Sequence, residues 1–95
     1  MEQAGQDGAQ AAPGGWFTCE VIRVGPAEDH NIYIGLRDVA GQWPGWRWYS
    51  AVNTQRREML ATALTAITNQ LHVTVYLTTT DAYGTINRCY VARDV

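Results

Sequence analysis

From Trp16 onward apolar and polar residues alternate. Phe17, Cys19 and Val21 fall on one face of an extended segment, and Thr18, Glu20 and Ile22 on the other, so Trp16–Val24 predicts a first strand. Gly25-Pro26 ends it, and Ala27-Glu28-Asp29-His30 completes a polar turn. Asn31–Arg37 alternates again: Ile32, Ile34 and Leu36 point one way, Tyr33, Gly35 and Arg37 the other. A glycine in mid-strand, Gly35, predicts a bend or bulge of the kind a small barrel needs. Asp38 to Gly41 reads as a turn, Trp43-Pro44-Gly45 as a loop, and Trp46–Val52 as a third strand.

The period then changes. Leu60, Ala63, Leu64, Ile67 and Leu71 recur at helical spacing behind the capping residues Asn53 and Thr54, which predicts a helix running to about Asn69. Its core face is expected to be Leu60, Leu64 and Ile67, with Asn69 as the left-handed residue that ends it. Leu71–Thr78 alternates strictly, with Leu71, Val73, Val75 and Leu77 inward; Thr79 to Gly84 is a polar loop; Thr85–Ala92 is a last strand. The expected fold is mostly β with one helix (α+β): a five-stranded OB-like Greek-key barrel in the order β-β-β-α-β-β, its helix plugging one end. An open α+β sheet with one covering helix is the rival.

With 95 residues the chain has room for one domain, placed at 16–95. Residues 1–15, MEQAGQDGAQAAPGG, offer almost nothing to bury and read as a disordered tail. No run approaches the ~20 apolar residues of a membrane span. The start lacks the basic and apolar stretches of an export leader, which favours a cytoplasmic protein, or a secreted one whose leader has been removed.

The chemistry points to binding. There is no CxxC, no zinc-spaced His-Cys set, no GxSxG, HExxH, P-loop or GxGxxG, so neither an enzyme nor a cofactor or metal is expected. Arg56 and Arg57 open the helix against its dipole. The unusual segment is Trp43-Pro44-Gly45-Trp46-Arg47-Trp48-Tyr49. Alternation puts Trp46 and Trp48 on one face, expected to fill the core, and Arg47 and Tyr49 on the other. Trp43, before Pro-Gly, is expected to stand exposed in its loop. The expected ligand-binding residues are Trp43, Trp46, Arg47, Tyr49, Tyr33 and Arg37.

The helix QRREMLATALTAI, the strand LHVTVYL that follows it and a last strand carrying Cys89 together resemble the B subunits of the cholera-like and heat-labile enterotoxins. The resemblance spans roughly Trp16 to Val91. It implies an OB fold, a ring of subunits, a glycan ligand, and a disulfide between a cysteine near the N-terminus and one on the last strand, positions comparable to Cys19 and Cys89. The chain departs from that group in lacking a leader and an N-terminal helix, and in its Trp43–Trp46 segment.

Two functions are therefore expected. The first is a non-catalytic homo-oligomeric module that binds a glycan, a small molecule or a protein partner through aromatic loop and strand residues. The alternative is a single-stranded nucleic-acid-binding OB protein. A net charge of −2, and seven basic residues that are all Arg, weigh against the alternative. The Cys19–Cys89 pair is expected bridged if the protein is exported and reduced if it is cytoplasmic.

Overall fold

The computed structural model describes residues 13–92; most of the N-terminal tail expected from sequence lies outside them. Five strands close into a barrel: β1 Gly15–Pro26, β2 Ile32–Asp38, β3 Arg47–Ala51, β4 His72–Leu77 and β5 Thr85–Ala92. Around the barrel they run β1-β2-β3-β5-β4 and return to β1. All neighbours are antiparallel except β3 and β5, which meet in a short parallel pair. This is an OB-like barrel, and the open sheet is excluded. Among the described residues no helix is long and apolar enough to cross a membrane.

The inward rows are those that alternation predicts over most of the chain. Cys19, Val21, Ile32, Ile34, Leu36, Val73, Val75, Leu77 and Ile86 form the core. Two bulges reset the alternation. In β1 the register with β2 jumps between Val21 and Arg23, leaving Ile22 without a partner. Unbroken alternation would turn Arg23 inward with Val21; the extra residue turns it outward opposite Gly35 and brings Val24 against the core. The bulge expected at Gly35 thus sits on the neighbouring strand. A second jump beside Leu77 skips Asn87, so Ile86 and Cys89 both face inward.

The β3 face is the reverse of the expected one. Tyr49 and Ala51 are buried and Trp46 stands 37% exposed, with Trp48 half-buried. The core has no need of Trp46 or Trp48 because Trp43, expected exposed, fills that place at 2% exposure. Left-handed backbone at Gly41 (φ 77°) and Gly45 (φ 64°) lets the loop fold back over the barrel. Trp43 then donates its indole N–H to the Leu36 carbonyl at 3.1 Å and packs edge-on against Phe17 and Tyr49, each 5.5 Å away. A buried indole needs both partners, and here it has them.

The helix α1, Arg56–Asn69, also differs in detail. Asn53 and Thr54 lie in a preceding 3-10 turn, Asn53–Gln55, and no side chain caps α1. Its buried residues are Met59, Ala63 and Ala66, with Leu60 and Ile67 partly buried beside them. Leu64, expected in the core, is 46% exposed. Alanines at the centre of the contact let the helix axis approach the barrel closely, and the larger Leu64 is turned aside. The left-handed residue is Gln70 (φ 56°), whose N–H reaches the Ala66 carbonyl. Asn69 stays helical, its side-chain amide donating to the Thr65 carbonyl at 2.9 Å.

Candidate ligand-binding groove

The bulge in β1, the reversed face of β3 and the β4–β5 loop place four aromatic rings around the outer face of β2 and β3. Gly35 lies opposite Trp48 on β3 and opposite Arg23 on β1. Trp46 leans over Gly35 so closely that a Cβ there would stand 2.8 Å from its Cε3. Trp46 and Trp48 meet edge-on at 5.1 Å, and the Arg23 guanidinium sits 5.5 Å above the Trp46 ring. Further along β2, Tyr33 meets Tyr83 of the β4–β5 loop edge-on at 6.1 Å.

Tyr83 is held out for contact. It is 64% exposed and its backbone is left-handed (φ 66°), an uncommon state for a bulky residue. Its N–H donates to the Trp48 carbonyl, and the Ser50 N–H donates to the Gly84 carbonyl. The loop is tied down once more at Thr80, whose carbonyl accepts from the Tyr49 hydroxyl at 2.6 Å and from Arg47 at 2.8 Å. Burial pushes the Tyr49 phenol up to about 12, so it stays a donor.

A groove of about 910 Å³ runs beside these rings. Tyr33, Trp48 and Tyr83 line it, with Arg23 to Pro26 of β1, the β1–β2 turn at Ala27, Glu28 and Asp29, and Leu64 and Ile67 of α1. Exposed Leu64 thus has a place on the groove wall. Asp29 accepts from the Tyr33 hydroxyl at 2.8 Å and from the Asn31 N–H at 3.1 Å. These bonds hold its carboxyl below its ordinary value, the Tyr33 bond contributing most, and the same bond raises the Tyr33 phenol.

The six residues expected at the site divide. Tyr33 lines the groove and Trp46 stands on the adjoining outer face. Trp43 and Tyr49 are core, and Arg47 anchors the β4–β5 loop. Arg37 stands on the same outer face but is ion-paired with Glu20 of β1. Sequence reasoning missed Trp48, Tyr83, Arg23 and Asp29. Tyr83 carried a signal, a large ring in an otherwise polar loop; Arg23 carried none, since only the bulge turns it outward. Comparison with protein families, curated proteins and solved structures finds no match for this chain.

Cys19 and Cys89 are both free thiols. They sit on β1 and β5 with β4 between, Cys19 opposite Val73 and Cys89 opposite Val75. Two strand spacings amount to about 9–10 Å, more than the ~7 Å that a disulfide spans between Cα atoms. Burial pushes Cys19 up to about 12 and Cys89 to about 11, which leaves both protonated and unreactive at neutral pH. Among the described residues no three His, Cys, Asp or Glu side chains gather around a point where a metal ion fits.

Proposed function

We propose that this chain is a non-catalytic binding module that takes a short, uncharged glycan on the outer face of β2 and β3. The observation that carries the reading is the ring set Tyr33, Trp46, Trp48 and Tyr83, flanked by carboxylates on one side and a guanidinium on the other. A sugar ring presents apolar C–H faces and a rim of hydroxyls. Aromatic faces match the first; Asp29 and Glu28 accept from the second and Arg23 donates to it. The face of strands two and three, between the first and last loops, is where OB barrels take oligosaccharides and oligonucleotides.

Single-stranded nucleic acid is the second reading, favoured by Arg23 beside Trp46 on that face. Two points weigh against it: Glu28 and Asp29 would face the phosphates, and Arg37 is already neutralised by Glu20. Tryptophan emission is the readout for a titration with neutral oligosaccharides and, in parallel, with single-stranded DNA at two salt concentrations. Saturable quenching by a glycan, little altered by salt and weakened several-fold by Trp48→Ala or Tyr83→Ala, is expected. Binding of DNA alone, with a steep salt slope, overturns the glycan reading. The module is also proposed to self-associate.

A further inference from the structure

We propose that the glycan taken by the groove carries an acetamido group, which docks on the unpaired backbone of β1 at Val24 with its methyl against Leu64 and Ile67. The inference rests on the glycan reading of the groove and names the class of sugar. Its starting point is where β1 loses a neighbour. β1 pairs with β4 from Gly15 to Glu20, while its pairing with β2 continues to Pro26. Beyond Glu20, no strand among the described residues lies along the second side of β1. The groove of about 910 Å³ runs past this stretch, lined by Arg23 to Pro26 and by Leu64 and Ile67 of α1.

The ladder decides which backbone groups face away from β2. In an antiparallel pair, alternate residues turn their N–H and C=O to the partner strand, and the residues between turn theirs the other way. The Ala27 N–H donates to the Asn31 carbonyl at 2.9 Å. The same register sets Gly25 opposite Tyr33 and Arg23 opposite Gly35, so these are bonded positions. Val24, opposite Ile34, and Pro26, opposite Ile32, fall between them and turn away from β2. Val24 thus offers one N–H and one carbonyl on the open side. Pro26 offers a carbonyl alone, and an edge without a partner is where a strand tolerates proline. Among the described residues no hydrogen bond outside the ladder reaches either residue.

A neutral donor beside neutral acceptors, set against aliphatic side chains, complements an amide that carries a methyl. A sugar with hydroxyls alone satisfies the edge but leaves Leu64 and Ile67 facing hydroxyls. An acetamido group meets both demands. Its carbonyl accepts from the Val24 N–H, a neighbouring hydroxyl donates to the Val24 or Pro26 carbonyl, and its methyl covers the aliphatic bank. The sugar ring that bears it is then left to the aromatic side of the groove at Tyr33, Trp48 and Tyr83. Leu64, 46% exposed in the free chain, gains an apolar neighbour. Glu28 and Asp29 line the same groove and disfavour an acidic N-acetylated sugar, so the neutral hexosamines are the fitting class.

Two disaccharides that differ only in one kind of substituent make the test: cellobiose, and di-N-acetylchitobiose, in which acetamido groups replace the 2-hydroxyls. Tryptophan emission reads the affinities, and hydrogen exchange reads the Val24 amide. In the free chain that amide is expected to exchange much faster than the Gly25 amide, which is bonded to β2, and saturating di-N-acetylchitobiose is expected to slow it several-fold. The acetamido sugar is expected to bind about ten-fold tighter than cellobiose. Leu64→Asn is expected to lower that ratio several-fold, with near-UV circular dichroism confirming that the variant keeps its fold. Equal affinities, an unchanged ratio in the folded Leu64→Asn variant, a Val24 amide as slow as that of Gly25 in the free chain, or one that the bound sugar leaves unprotected overturns the acetamido assignment, and cellobiose binding then still upholds the groove. Binding of neither sugar overturns the glycan reading and this inference together.

Discussion

The indole of Trp46 rests on the bare backbone of Gly35, where a Cβ would come within 2.8 Å of its ring. Any side chain at position 35 therefore moves Trp46. Because Trp46 is 37% exposed it can swing into solvent instead of straining the core. Gly35→Ala is expected to leave the melting temperature within a few degrees, to red-shift tryptophan emission and to weaken glycan binding several-fold. Unfolding of the variant, or unchanged emission with unchanged binding, would show that the ring does not depend on this contact.

The two faces of α1 should respond differently to truncation. Met59 is buried in the core, so Met59→Ala is expected to cost about 2–5 kcal/mol. Leu64 is 46% exposed on the groove wall. Leu64→Ala is expected to cost about 1 kcal/mol or less, since little of the side chain leaves an apolar setting. Urea midpoints of the two variants give the comparison, and equal losses would mean that Leu64 belongs to the core.

Thr80 is the peg for the β4–β5 loop, and Tyr49 and Arg47 both hold its carbonyl. Tyr49→Phe removes one buried hydrogen bond at constant shape, which is expected to cost about 1 kcal/mol. Thr80 keeps Arg47 as a donor. Hydrogen exchange of the Tyr83 amide, which donates to Trp48, should quicken in Tyr49→Phe and more in the variant that also carries Arg47→Met. No change in that amide would mean that the loop is held elsewhere.

The Asp29–Tyr33 bond has a pH signature of known sign. Asp29 is depressed in the folded chain, so its contribution is present above the ordinary carboxylate value and is lost as pH falls through the lower folded one. Tyr33 is raised by the same bond, so its contribution is present below the ordinary phenol value and is lost as pH rises through the higher folded one. In Asp29→Ala the Tyr33 phenol should ionise earlier, visible as ultraviolet absorbance in an alkaline titration. An unmoved Tyr33 transition would break the link.

Both thiols should count as free and slow. Cys19 and Cys89 are expected to react with a disulfide reagent at pH 8 far more slowly in the native chain than in denaturant, where two thiols per chain should appear. Their raised folded values stabilise the chain fully below the ordinary thiol value, and the effect fades as pH climbs toward about 11 for Cys89 and about 12 for Cys19. The melting temperature should therefore fall above pH 9. A native chain with no titratable thiol in denaturant would restore the bridge.

Period and punctuation in the sequence determined the order of elements, the inward rows of β2, of β4 and of β1 as far as Val21, and the single helix. Those features rest on local physics: the side-chain period of a strand or helix, and the breaks at Gly25-Pro26 and Asp38–Gly41. The choice among competing aromatics was decided by tertiary structure. Trp43, Trp46, Trp48 and Tyr49 carry similar apolar surface, and alternation says only which of them share a face. Trp43 won the core because its loop folds back to the Leu36 carbonyl, a contact between residues that the pattern does not connect. Arg23 reached the groove side because one extra residue, Ile22, changes the parity of β1, and a bulge is defined by its partner strand. On α1, the Leu64 stripe and the Met59-Ala63-Ala66 stripe have the same period, and the closeness of the barrel selected the smaller one. The candidate site is built from these long-range choices, which is why the sequence revealed its aromatic chemistry but not its members.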